Sequence, residues 1–376
     1  MNYKQMKKCG DKLSVLGFGC MRFPTENNGS IDEKRSEKMI LSAIESGINY
    51  FDTAYPYHDG QSEPFVGKVL SGGRRKNIFL ATKLPSWAIH TRDDMDKYLN
   101  EQLKRLQTDY IDYYLIHALN TDFWNNLVKL GIFEFMDKIK SEGKIRHIGF
   151  SFHDEQPVFN TIIESYNWDF CQIQYNYVNE NYQAGRKGFD LAVSKGIDVI
   201  IMEPLLGGKL AENLPDDVAA IWEEAAIKHS PAEWALKWLW NQDGVDVVLS
   251  GMSTETQLAQ NIEFAGKKDY NVLTDKDMQL ISRVKKIYTE RIKVPCTKCR
   301  YCMPCPHGVN IPECFSMVNS YYMFNNLDKS KGDYNFNLKG KSRASGCVEC
   351  GECETKCPQN IEIIKSLKET VELFGE

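Results

Sequence analysis

Short runs of consecutive apolar residues recur along the first 290 positions, and between them apolar residues return every three or four positions. The short runs read as strands buried on both faces, the longer stretches as amphipathic helices. Strands are expected at 13–22, 48–52, 78–83, 111–117, 145–151, 170–175, 199–203 and 245–250, and helices at 33–46, 92–106, 133–142, 183–195 and 231–241. Gly47, Gly143 and Gly196 each follow polar or charged residues just before a strand, where a helix should stop. Repeated β-then-α units over this length are what a closed parallel (β/α)8 barrel, the TIM fold, requires. An open doubly wound sheet would need a glycine-rich turn after its first strand, and Gly17-Phe18-Gly19 is a weak match to one.

Composition excludes several classes of partner. The net charge is -5 with 26% charged residues of mixed sign, so neither nucleic acid nor an anionic membrane is expected as partner. No apolar run approaches the roughly 20 residues of a membrane span. Met1 to Lys8 carry positive charge with no apolar segment after them; no secretory signal is expected, and a cytoplasmic location is.

The cysteines change the picture most. Of 12, only Cys9, Cys20 and Cys171 lie in the first 290 positions; the rest crowd into 296–357. Disulfide scaffolds spread their cysteines over a small secreted fold, so this crowding points to metal. Cys296, Cys299, Cys302 and Cys305-Pro306 form one run, and Cys347, Cys350, Cys353 and Cys357-Pro358 a second. The second has the bacterial ferredoxin spacing, and the first is one residue short before its last cysteine. Zinc would take two ligand pairs; a third cysteine at the same short spacing and a closing Cys-Pro favour iron–sulfur. Ligand exchange between runs assigns Cys296, Cys299, Cys302 and Cys357 to one 4Fe–4S cluster, and Cys347, Cys350, Cys353 and Cys305 to another. Cys314 is expected to be a buried spectator, with substitute ligand as the alternative, and the polar stretch 328–343 an exposed insert. The expected fold is therefore α/β: a TIM (β/α)8 barrel over 1–290, then a small α+β ferredoxin-like iron–sulfur domain over 291–376.

In a barrel the C-terminal strand ends converge, bringing together Asp52, Lys83, His117, Ser151, Gln172, Glu203 and Ser250. Each has a plain structural explanation taken singly. Burying Lys83 without Asp52 would cost several kcal/mol, so these two read as a pair. Tyr57, on the loop beyond Asp52, is placed for general acid work on a carbonyl oxygen, with a nearby ammonium expected to lower its pKa. His117 would hydrogen-bond the same oxygen as charge develops there.

Phe51-Asp52-Thr53-Ala54, Tyr57, Gly60-Gln61-Ser62-Glu63, Thr82-Lys83 and Ile116-His117 together resemble the aldo-keto reductase family, over roughly residues 10 to 265. The resemblance implies a catalytic tetrad of Asp52, Tyr57, Lys83 and His117, and hydride transfer between NAD(P)H and a small carbonyl or alcohol substrate. It also implies that Ser151 and Gln172 hold the nicotinamide carboxamide. Phe152 stands where an asparagine is usual, and Met202, followed by Glu203, where a ring-stacking tyrosine is. The stretch with Ser250, Gly251, Ser253, Gln257 and Asn261 matches the cofactor-phosphate segment. Gly251 and Gln257 replace a lysine and an arginine that often meet the 2′-phosphate, which leaves NADH versus NADPH open. With its tail the chain resembles the iron–sulfur subgroup of the family.

A nicotinamide gives up two electrons as hydride, whereas a 4Fe–4S cluster moves them singly. Three readings follow. In the first, the barrel exchanges hydride with a nicotinamide, and the clusters are structural or a link to a one-electron partner. In the second, ferredoxin or another one-electron carrier feeds the clusters, and a flavin or the substrate accepts the electrons. In the third, the chain is a non-catalytic redox sensor or electron-transfer subunit.

Overall fold

The computed structural model describes residues 1–376. Its strands are β1 (Tyr3–Gln5), β2 (Lys12–Ser14), β3 (Leu16–Gly19), β4 (Tyr50–Asp52), β5 (Phe79–Leu84), β6 (Ile111–Leu119), β7 (Ile145–Phe152), β8 (Phe170–Gln174), β9 (Asp198–Met202) and β10 (Val245–Ser250). β3 to β10 close into a barrel in the order β10-β3-β4-β5-β6-β7-β8-β9, every neighbouring pair parallel. Continuous apolar runs suit such strands because one face meets the barrel interior and the other the surrounding helices. All five expected barrel helices form, among them Glu33–Glu45, Arg92–Arg105 and Pro231–Trp240. Gly47, Gly143 and Gly196 all take positive φ, as helix-ending glycines do.

The expected first strand is broken in two. β1 and β2 form an antiparallel hairpin, and the chain turns into β3 after Ser14, whose N–H donates to Asn49 Oδ1 at 2.7 Å. Met6 and Leu13 then pack against Tyr50, Ala81, Tyr113, Phe170 and Val247. Those partners fill the interior near the strand starts, so the polar ends of the strands face the opposite, C-terminal mouth.

The chain divides into two compact units: residues 1–211 with 229–274, and residues 212–228 with 275–376. By packing, the second unit also takes in segments that precede position 290. Helix Asp275–Glu290 and the short helix Asp216–Trp222 belong to the second unit. Val218, Ile221 and Trp222 are buried on one of these helices, and Leu280, Ile281 and Val284 on the other. Each such side chain contributes about 1.5–3 kcal/mol when removed from water. Arg283 and Arg291 add ion pairs to Glu224 and Asp217 at 2.7 Å, but these are largely solvated and worth under about 1 kcal/mol.

The second unit is built from helices and cysteine-bearing loops, with no strand between 291 and 376. Ile311–Phe324, Leu327–Asn337 and Ile363–Phe374 are its main helices. Val309, Cys314, Phe315, Val318, Tyr334, Leu338 and Leu367 form its core. The stretch expected as an exposed insert thus contains a helix. Its buried Tyr334 lies 4.5 Å from the Phe374 ring, an anchor hidden in an otherwise polar sequence.

Candidate functional site

Asp52 ends β4 and Lys83 lies one residue from the end of β5, on neighbouring strands whose register pairs Asp52 with Ala81. Both side chains are buried, at 4% and 1% exposure. Lys83 Nζ donates to Asp52 Oδ1 at 2.5 Å, to the Thr53 carbonyl at 2.8 Å and to the Tyr57 hydroxyl oxygen at 3.3 Å. Every N–H of the ammonium is therefore engaged. Because the Tyr57 oxygen accepts from Lys83, its own proton must point elsewhere. Gln172 Nε2 holds the other carboxylate oxygen of Asp52 at 3.0 Å.

His117 is aimed by a break in the ladder. The β6–β7 register shifts between Ile116 and Leu119, and Ala118 takes φ 51. Ser151 Oγ accepts the Ala118 N–H at 2.7 Å, satisfying a donor that the bulge removes from the sheet. The His117 ring lies 6.2 Å from Tyr57 and 5.1 Å from Trp87, centroid to centroid. Its Nδ1 is buried without a hydrogen-bond partner. A bare acceptor lone pair is cheaper to bury than a bare N–H, which places the neutral ring's proton on Nε2.

Burial works against the Lys83 ammonium, but the Asp52 carboxylate outweighs it and its pKa stands above the ordinary value. The pKa of Tyr57 is also raised: burial dominates, and the Lys83 charge offsets it only in part. The expected lowering is thereby reversed, because a buried phenolate loses more solvation than one ammonium returns. Tyr57 therefore keeps its proton at neutral pH. His117 lies well below 6.5, through burial first and then the charge of Lys83.

Most of the expected cofactor residues engage neighbours in the barrel. Ser151 supports the bulge and Gln172 the Asp52 carboxylate. Phe152 is buried and meets Phe159 at 5.2 Å, centroid to centroid. Glu203 is exposed at φ 54, its carbonyl accepting from Asn176 Nδ2 at 3.3 Å. Ser250 and Asn261 bond each other at 3.1 Å, while Gln257 Oε1 accepts the Ser253 N–H at 2.8 Å. Gly251 is exposed.

Sequence reasoning missed a network behind Lys83. Glu63, fully buried, accepts from Thr82 Oγ1 at 2.6 Å and Gln102 Nε2 at 2.7 Å, and Gln102 also donates to the Lys83 carbonyl at 2.9 Å. Glu63 stands in the Gly60-Gln61-Ser62-Glu63 motif, but Gln102 carries no local signal. Trp87 was missed for the same reason.

The cysteines line two cavities. Cys296, Cys299, Cys302 and Cys357 border one, with Ile311, Phe315 and Ile363; Cys305, Cys347, Cys350 and Cys353 border the other, with Val309 and Leu367. These are the two quartets expected from ligand exchange. No three His, Cys, Asp or Glu side chains converge closely enough to share a single ion. Four soft sulfur donors around an apolar-walled space suit an iron–sulfur core instead. The Glu349 N–H donates to Cys347 Sγ at 3.4 Å. Burial, with neighbouring thiols, pushes Cys302 up to about 11. Cys314 is buried away from both cavities, its Sγ 3.8 Å from the Ser342 carbonyl.

Residues 15–286 match the aldo/keto reductase family and residues 295–362 a 4Fe-4S dicluster domain. The chain is 30% identical to a probable aldo-keto reductase of Glycine max over 72% of this chain and 85% of that one. It is 27% identical to the L-galactose dehydrogenase of Arabidopsis thaliana, over 67% and 84%. Among solved structures, aldo-keto reductase AKR11C1 from Bacillus halodurans in its holo form superposes with a TM-score of 0.64 at 28% identity, covering 75% of this chain and 96% of the other.

Proposed function

Since the chain belongs to the aldo/keto reductase family and carries a 4Fe-4S dicluster domain after its barrel, we propose that this oxidoreductase interconverts a small carbonyl compound and its alcohol, with Tyr57 as the proton donor. The observation that carries this reading is the buried Asp52–Lys83–Tyr57 chain beside a neutral His117. A nicotinamide dinucleotide bound at the mouth would supply the hydride. Asp52 holds Lys83 charged, and Lys83 turns the Tyr57 proton outward and stabilises the oxygen that loses it. His117 Nε2–H offers a second donor to the carbonyl oxygen, where charge builds as the bond is reduced. Gln172 and Ser151 position the carboxylate and the imidazole. The chain's thiols suit the reducing cytoplasm, as none is in a disulfide.

The pH dependence follows from these directions. His117 is neutral above its depressed pKa, and Tyr57 is protonated below its raised one. The rate of carbonyl reduction is therefore expected to be level between about pH 6 and 9. A limb centred near 6.5 in a stopped-flow pH series would mean that His117 is not the neutral donor to the carbonyl oxygen.

A second reading draws support from Phe152, which packs on Phe159 where the resemblance puts a carboxamide ligand. In it, electrons enter singly from ferredoxin or a similar carrier through two 4Fe–4S clusters, and a flavin or the substrate takes them. Anaerobic purification with iron, sulfide and flavin analysis, then titration with NADH and NADPH, decides between the two. Tight nicotinamide binding and no flavin favour the first; bound flavin and NAD(P)H turnover only with ferredoxin favour the second.

A further inference from the structure

The two cysteine runs of the tail repeat one backbone. Lys298 and Glu349, each just before the second cysteine of its run, take φ of 57 and 61. Arg300 and Gly351, each just after that cysteine, take 60 and 80. The Glu349 N–H donates to Cys347 Sγ, and the Lys298 N–H makes the equivalent bond to Cys296. Cys299 and Cys350 are the exposed members of their quartets, and Ile311 stands in the wall of both cavities. Ligand type, hydrogen bonding and solvent exposure help to set the potential of an iron–sulfur centre, and all three are matched here.

Charge is not matched. Between its first and third cysteines the first run carries Lys298 and Arg300 and no acid, whereas the second carries Glu349 and Glu352 and no base. Arg300 borders the first cavity, and Gly351 takes the equivalent place in the second. Lys298 Nζ donates to Ser316 Oγ at 3.1 Å, next to the Phe315 that lines the first cavity. Glu349 pairs with Lys368 at 2.8 Å and Glu352 with Lys356 at 3.7 Å. These are solvated pairs that cancel the carboxylates only in part, and Lys356 itself adjoins Cys357 of the first quartet.

A 4Fe–4S centre that accepts one electron gains one negative charge, which neighbouring cations favour and carboxylates oppose. We infer that Lys298 and Arg300 give the site of Cys296, Cys299, Cys302 and Cys357 the higher potential of the two. A single electron delivered to the tail therefore comes to rest there: the one-electron carrier that brings it is oxidised by one electron, and this site is reduced by one. The inference rests on the reading of the two cavities as the seats of two 4Fe–4S clusters.

The test is a redox titration of the anaerobically purified full-length chain, with dithionite as reductant, followed by low-temperature EPR at about pH 8. The wild type is expected to show two midpoints, far enough apart that the reduced-to-oxidised ratios of the two sites differ at least about tenfold, or about 59 mV for one electron. Lys298→Gln/Arg300→Gln should lower the upper midpoint and leave the lower one in place. Glu349→Gln/Glu352→Gln should raise the lower midpoint and leave the upper one. A single shared midpoint in the wild type, or an unmoved upper midpoint in Lys298→Gln/Arg300→Gln, would overturn the assignment. If that variant lost iron, the glutamate variant would decide, and an unmoved lower midpoint there would overturn it equally. About four iron atoms per wild-type chain in place of about eight would instead overturn the two-cluster reading.

Discussion

Tyr57→Phe is expected to lower carbonyl turnover by about 10²–10⁴-fold, the range of a positioned general acid. Coenzyme affinity and the visible absorbance of the clusters should both be unchanged. The substitution removes one oxygen and its proton. Lys83 keeps its bonds to Asp52 and the Thr53 carbonyl, so the ion pair survives the change. Lys83→Met is the sterner variant, because it leaves Asp52 buried with only Gln172 as donor, at a stability cost of about 3–5 kcal/mol. The two variants separate chemistry from folding. If Tyr57→Phe turned over at more than about a tenth of the wild-type rate, the proton would have to come from another group, and His117 is too weakly basic to be that group at neutral pH.

The second large effect concerns the tail. Cys357 lies beside Cys296, Cys299 and Cys302, and Cys305 beside Cys347, Cys350 and Cys353. With two clusters loaded, iron should fall from about eight to about four atoms per chain in Cys357→Ala, and by the same amount in Cys296→Ala. The double variant Cys296→Ala/Cys357→Ala should lose no more than either single change, because both residues line one cavity and would serve one cluster. Cys305→Ala/Cys357→Ala should lose nearly all. Sequential ligation shares that last outcome but reverses the first: Cys296→Ala/Cys357→Ala would lose nearly all the iron, and Cys296→Ala/Cys305→Ala would keep half. Iron and sulfide analysis with low-temperature EPR tells these patterns apart. Cys314→Ala should leave the iron content as it is and cost about 1 kcal/mol or more of stability, as expected for a small buried thiol.

Much of the fold was legible because its signals are local. Apolar runs bounded by polar helices mark each barrel strand, and the glycines that end helices need positive φ wherever the chain goes next. The hairpin β1–β2 was not legible, since its strands are three residues each and hold no alternation long enough to read. That segment 212–228 packs with the second unit was not legible for a different reason. It lies between two barrel elements in sequence, and only the packing of Val218, Ile221 and Trp222 puts it in the second unit. Helix Leu327–Asn337 was hidden by its polar surface.

The candidate site divides in the same way. Asp52 and Lys83 could be paired from sequence because an ammonium at the end of a buried strand demands a counter-charge. The sign of the Tyr57 shift could not be, because it depends on how much solvent the finished mouth excludes. Ser151 and Gln172 were read from sequence only as ligand-facing; the bonds that each makes to a neighbour, Ala118 and Asp52, 33 and 120 positions away, could not be read there.

The sequence by itself determined the strand period, the chain order of Asp52, Tyr57, Lys83 and His117, and the cysteine spacing. Each is a property of residues close along the chain, where backbone geometry alone sets the rule. Tertiary structure decided which donors saturate Lys83 and which thiols share a cavity. Those outcomes need strands that start far apart to become neighbours, and only closure of the barrel and packing of the tail make them so.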